Sequence, residues 1–158
     1  MWALSNRFDR EVVPLADRHY NRQKIGSPQF APPGRCFVLK TETVDAFWIT
    51  SWPFAEYTKH QWAGAWVCSA FRNESLSLSS DLVRQAVAAT RWKWPDVPNL
   101  GMVTFVDPKK VRNKRDFGRC YRRAGFVEVG VTKINHLIAL QILPNQMPPA
   151  EKPLGVLF

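Results

Sequence analysis

The sequence predicts an α/β fold built on a mixed, mostly antiparallel sheet with flanking helices. Three observations carry that expectation. Short apolar runs recur between polar or proline-marked connections from Cys36 onward; one run is apolar on both alternating faces; two helix-spaced segments fall between the later runs. The chain's 158 residues suit one domain, taken as 1–143, with a proline-rich tail at 144–158. Hydrophobic residues make up 46%, and there are seven tryptophans, enough apolar material for a core and too much for a disordered chain.

Each element has its own local reason. Phe8, Val12 and Leu15 lie at helical spacing in residues 5–17, with Ser5 as a candidate N-cap and Pro14 limiting or kinking the helix. His19 and Tyr20 follow at its exit. Residues 21–35 are rich in proline, glycine and polar groups and carry Arg22, Lys24 and Arg35. A loop of that length is expected to be a lid over a substrate or a surface connector. Cys36–Leu39 and Ala46–Thr50 read as two antiparallel strands. Trp52, Phe54 and Tyr57 follow, and covering the core is favoured for them over stacking on nucleobases.

Trp62–Phe71 is the run apolar on both faces, hence a central strand, with Arg72, Asn73 and Glu74 at its end. A helix is expected from about Ser80, capped by Ser79 or Ser80, with Asp81 against the positive end of its dipole. That end could instead receive a phosphate. Leu82, Val83, Ala86 and Val87 form its buried stripe. Met102–Val106 is the next strand, stopped by Asp107-Pro108. A basic loop, a short helix ending at Gly125, a strand opening at Phe126 and a last strand at His136–Leu143 complete the order.

The net charge of +9 is concentrated after that proline. Lys109, Lys110, Arg112, Lys114, Arg115, Arg119, Arg122 and Arg123 are opposed there by Asp116 alone. An anion would relieve their repulsion, which favours a polyanionic partner. Cys36, Cys68 and Cys120 are widely spaced and odd in number, and His19, His60 and His136 lack ligand spacing, so no disulfide framework and no metal site is expected. With no signal-like start and no long apolar run, a cytoplasmic protein is expected. Tyr121, one turn before Gly125, is either a general acid or a partly buried aromatic whose hydroxyl satisfies a backbone group.

CYRRAGFVEVG resembles the last helix and following strand of the GNAT acyltransferase superfamily. The wider order is similar to the Mom family of phage DNA-modification proteins: Arg18-His19-Tyr20, then WAGAWVCSAFRNE leading to LSSDLVRQAVAAT, then VTFVDP before the tyrosine helix. The likeness runs over residues 17–131. It implies a GNAT-like sheet splayed at its centre. It also implies a transferase that adds a small acyl or amide-bearing group to the exocyclic N6 of adenine in phage or prophage DNA. His19 and Tyr20 would then sit at the substrate mouth and Arg72 and Asn73 beside the reacting centre. Asp107 would orient the acceptor or take a proton, with Tyr121 as acid. Arg22, Lys24, Lys109, Lys110, Arg112, Lys114 and Arg115 would hold the DNA backbone.

The chain departs from the GNAT pattern in one place. RNESLSLSSD contains no glycine, so Ser79, Ser80 and the helix terminus are the only replacements for the amides that would hold acetyl-coenzyme A or a related acyl donor. The donor stays open. So do two other readings, a coenzyme A dependent N-acyltransferase acting on a small amine or a protein, and a non-catalytic nucleic-acid-binding protein of the same shape. The apolar end of the chain is expected to dock on the domain or on a second copy in a homodimer.

Overall fold

The structure, a computed structural model, describes residues 1–19, 22, 24–110 and 118–155. Its strands are β1 (Trp2–Leu4), β2 (Cys36–Thr41), β3 (Ala46–Ser51), β4 (Trp66–Asn73), β5 (Met102–Val106), β6 (Val127–Val131) and β7 (Ile138–Ile142). They form one seven-stranded sheet in the order β1-β2-β3-β4-β5-β7-β6. The helices are α1 (Val13–Asp17), α2 (Ser79–Lys93) and α3 (Arg119–Arg123), with short 3-10 turns at Ala55–Tyr57 and Pro144–Gln146. This is the expected α/β arrangement with a mostly antiparallel sheet: every neighbouring pair is antiparallel except β4 and β5.

That exception organises the molecule. Among the described residues the parallel ladder runs through Trp66–Met102, Val67–Val103 and Cys68–Thr104 and ends there. β4 continues to Asn73 paired with β3 alone, and β5 continues to Val106 paired with β7 alone. The change of course falls at Ser69, the extra residue of a β-bulge where Ile49 faces Ala70 and Thr50 faces Cys68. A bulge kinks its strand and increases the local twist, which turns the end of β4 away from β5.

α2 covers one face. Leu82, Val83, Ala86 and Val87 are buried, as its apolar stripe predicts, against Leu39, Trp48, Trp66, Met102 and Leu140. A chain of buried polar bonds fixes it on β3. Trp48 Nε1 donates to Thr50 Oγ1 at 2.6 Å, Thr50 and Thr90 share a hydroxyl bond at 3.0 Å, and Thr90 Oγ1 donates to Ala86 O at 2.8 Å. Each donor is thereby satisfied, so the hydrogen bonds offset the cost of taking these groups out of water. On the other face Val12, Leu15 and Ala16 pack on Phe47 and Ile49, and Trp62 packs with Val103 and Ala139.

Several boundaries differ from expectation. The helix predicted over 5–17 is confined to Val13–Asp17, because Asn6 and Asp9 fold the preceding residues into turns by accepting from the amides of Phe8 and Glu11. Ser5 donates its hydroxyl to Asp9 instead of capping a helix, and Pro14 stands in the first turn of α1, where a missing amide costs nothing. β4 begins at Trp66, four residues later than predicted. Gly64 turns the chain at φ +98°, so Trp62 packs with Val67 and not beside Trp66. The last strand starts at Ile138 because Asn135 and His136 adopt positive φ in the turn before it. β1 was not expected at all.

The described part of the proline-rich tail docks on the domain. Glu151 N donates to Ala88 O, Arg91 Nη1 to Pro148 O, and Leu154 forms a parallel bridge with Ala3. Among the described residues no helix is long and apolar enough to cross a membrane.

Candidate functional site at the parting of β4 and β5

Tyr121 reaches this site because of how α3 ends. Gly125 takes φ +108°, Phe126 N donates to Tyr121 O and Gly125 N to Arg122 O, the paired bonds of a Schellman motif. The apolar contact that accompanies the motif is made by the rings of Phe126 and Tyr121, 5.6 Å apart and edge to face. Held this way, the Tyr121 ring lies edge-on to Phe71 of β4 at 6.3 Å, and its hydroxyl is 3.7 Å from Cys68 Sγ. The phenol thus stands at the last residue of β4 that pairs with β5. Burial pushes the Cys68 thiol up to about 12, against a smaller opposing effect of the Tyr121 hydrogen bond. At neutral pH the thiol is protonated and not a nucleophile.

His19 approaches the same strand from the other face. Its ring is buried edge-on against Phe47 at 6.1 Å, and Nε2 donates to the carbonyl of Phe71 at 3.1 Å. A carbonyl can only accept, so the proton of a neutral ring is on Nε2 and its basic nitrogen is Nδ1. Beside it opens a pocket of about 540 Å³. Phe47, Ile49, Ser69 and Ala70 form its floor, and Phe30 together with Pro32 and Pro33 of the long loop forms its wall. The lid expected of residues 21–35 thus corresponds to a wall over the sheet. His19 and Tyr121 meet at Phe71, one at the carbonyl and the other at the ring.

The end of β4 is held by charge. Glu74 accepts from Arg18 Nε and Nη2 at 2.7 and 2.9 Å and from Arg72 Nε at 2.5 Å, while Arg72 Nη1 donates to Arg18 O at 2.9 Å. These bonds hold the Glu74 carboxyl down to about 2. Arg72, expected beside the reacting centre, ties the exit of α1 to β4, and so helps set the position of neighbouring His19. Asn73 organises the following turn. Its Nδ2 donates to Ser77 O and Ser79 Oγ at 2.8 and 3.0 Å, and its Oδ1 accepts from Ser75 N at 2.9 Å.

This turn does not fit a pyrophosphate. Glu74 N donates to Asp45 O, Ser75 N to Asn73 Oδ1 and Ser77 N to Ser75 Oγ, so these three amides are turned inward. Helix α2 has Leu78 at its N-cap with no side-chain cap, contrary to the expected serine cap. Ser79 Oγ is occupied by Asn73, Ser80 is buried, and Asp81 brings a carboxylate to the first turn.

Asp107 follows β5 and accepts from Lys109 N at 2.9 Å, closing a turn that also joins Lys110 N to Asp107 O. Lys24, Lys109 and Lys110 are exposed. Arg22 is committed to its loop: Nε pairs with Asp17 at 2.9 Å, and Nη1 and Nη2 donate to Gln29 O and Ser27 O. Tyr20, Arg112, Lys114 and Arg115 lie outside the described residues.

Three residues at the site escaped sequence reasoning. Cys68, Phe71 and Ser69 look like strand filler until the bulge and the end of the ladder give them a place. Phe54 and Tyr57, expected to cover the core, are exposed. No family model matches the chain, and neither a curated protein nor a solved structure does.

Proposed function

We propose that the protein is a GNAT-like transferase that modifies the exocyclic N6 of adenine in DNA, in the manner the Mom family resemblance implies. The observation that carries this reading is the meeting of Tyr121 and His19 on Phe71 from opposite faces of the sheet, just past the last β4–β5 pair, with the 540 Å³ pocket lying over β3 and β4 on the His19 face. A sheet parted between two parallel strands offers a crevice reachable from both faces, one for each reactant. The apolar floor of Phe47, Ile49 and Ala70 suits the flat ring of an extruded base.

N6 of adenine is conjugated to its ring and poorly nucleophilic, so positioning and proton movement are what the protein must supply. The acyl carbon forms a bond to N6 as its bond to the leaving group breaks. The proton lost from N6 passes to the His19 imidazole, directly or through water, and Tyr121 gives its phenolic proton to the leaving group. Phe71 O keeps the imidazole in the tautomer this needs, and the Arg18–Glu74–Arg72 cluster holds the adjoining backbone. The inward-turned amides before α2 argue against a coenzyme A pyrophosphate there, so the donor is taken to be an activated acyl compound without one.

Nucleosides from DNA of cells producing the protein should contain a heavier adenosine by mass spectrometry. Tyr121→Phe should reduce that product at least about a hundredfold, the scale of general acid catalysis, with DNA affinity unchanged. Unmodified adenosine in cells making the wild-type protein would leave a nucleic-acid-binding protein of the same shape as the better description.

A further inference from the structure

Arg35 and Trp52 are seventeen residues apart in sequence, yet the pairing of Cys36 with Ser51 makes them neighbours at one end of the β2–β3 hairpin. Each holds the other's backbone: Trp52 N donates to Arg35 O at 2.9 Å and Arg35 Nε donates to Trp52 O at 3.0 Å. The guanidinium lies over the Trp52 ring at 4.5 Å and over the Phe54 ring at 4.4 Å. Its two Nη nitrogens make no hydrogen bond or ion pair with any other described residue. A rigid cation is therefore presented with its bidentate edge uncommitted.

Beside it Phe54 and Tyr57 remain 54% and 77% exposed, edge to face with each other at 6.5 Å. Glu56 and Lys59, also exposed, offset one another in charge. A guanidinium edge next to open aromatic rings matches a ligand that carries a phosphate and a flat ring together. The rings of a duplex are stacked away from such a surface, whereas those of an unpaired strand are available to it. An acidic peptide would use the arginine and leave the rings idle.

The platform adjoins the pocket. Ser51, just before Trp52, shares a hydroxyl bond of 2.6 Å with Ser69 of the pocket floor, and Pro32 and Pro33 of the pocket wall lead directly to Arg35. We propose that Arg35, Trp52, Phe54 and Tyr57 bind one nucleotide of an unpaired nucleic-acid strand, with its phosphate on Arg35 and its base on Phe54 and Tyr57. That nucleotide is the neighbour of the one whose base enters the pocket. Only this adjacency rests on the transferase reading.

Fluorescence anisotropy of a labelled mixed-sequence single-stranded oligonucleotide with the full chain tests the proposal. Tyr57→Ala and Phe54→Ala should each weaken binding on the order of tenfold, and Tyr57→Trp should retain it. Arg35→Gln should reduce the slope of log affinity against log salt by about 0.7, the share of one phosphate. Circular dichroism melts of the two alanine variants should match the wild type, since both rings are exposed. Unchanged affinity in the two alanine variants, or a wild-type protein that does not hold the strand, overturns the platform. A modified adenosine that forms while these variants bind normally would sink the platform alone; weakened binding by Tyr57→Ala without any modified adenosine would sink the transferase alone.

Discussion

Glu74 shows how one side chain can govern a neighbourhood. Its carboxylate gathers Arg18 and Arg72, and through them the segment that ends in His19. A glutamate whose folded value lies near 2 stabilises the fold fully above its usual value of 4.5, and that contribution is lost as pH falls from there toward 2. Glu74→Gln should therefore flatten the acid limb of a plot of melting temperature against pH between 4.5 and 2. At neutral pH the loss should be about 1 kcal/mol, since all three partners are partly exposed. A variant with the wild-type acid limb would mean that Glu74 contributes no linkage. His19 and Tyr121 could be picked out in the sequence by residue type and position. Their common contact could not, because Phe71 is distant in sequence from both and nothing local marks it.

At the scale of elements, punctuation decided what could be read. Asp107-Pro108 and Gly125 bound β5 and α3 closely to where they stand, since proline and glycine act through the backbone within one or two residues. β1 and α1 were obscured for the opposite reason. β1 is three residues long and exists through pairing with β2 and the bridge from Leu154, neither of which has a local signature. The segment between them is anchored by Lys40 of β2, buried and paired with Asp9 at 2.8 Å. That pair, with the hydrogen bonds from Ser5 and Glu11, holds the Asp9 carboxyl below its ordinary value despite burial. Lys40→Met should cost about 2 kcal/mol by urea unfolding, because it leaves a partly buried carboxylate without its cation. Adding Asp9→Asn should recover part of the loss; a double variant as weak as the sum of the two singles would show that the pair is not coupled.

For the whole molecule, the net charge of +9 becomes a matter of placement. Lys109 and Lys110 leave β5 just past the parting of the strands, and Lys24 lies in the loop that walls the pocket on the opposite face, so cations border the crevice from both directions. Changing Lys109, Lys110 and Arg112 together to Ala should make the slope of log DNA affinity against log salt shallower by roughly 2–3. An unchanged slope would place the DNA elsewhere on the surface. Arg22 adds nothing to that count, since its guanidinium is used up inside the loop.

Among the described residues the two halves of the sheet share a ladder three residue pairs long. Beyond it the five residues from Ser69 to Asn73 extend for roughly 16 Å at about 3.3 Å each, a lever with no rung to the opposite half. Across the gap the two halves are joined by side chains in place of ladder hydrogen bonds, by Tyr121 against Phe71 and by the apolar stripe of α2 laid on both.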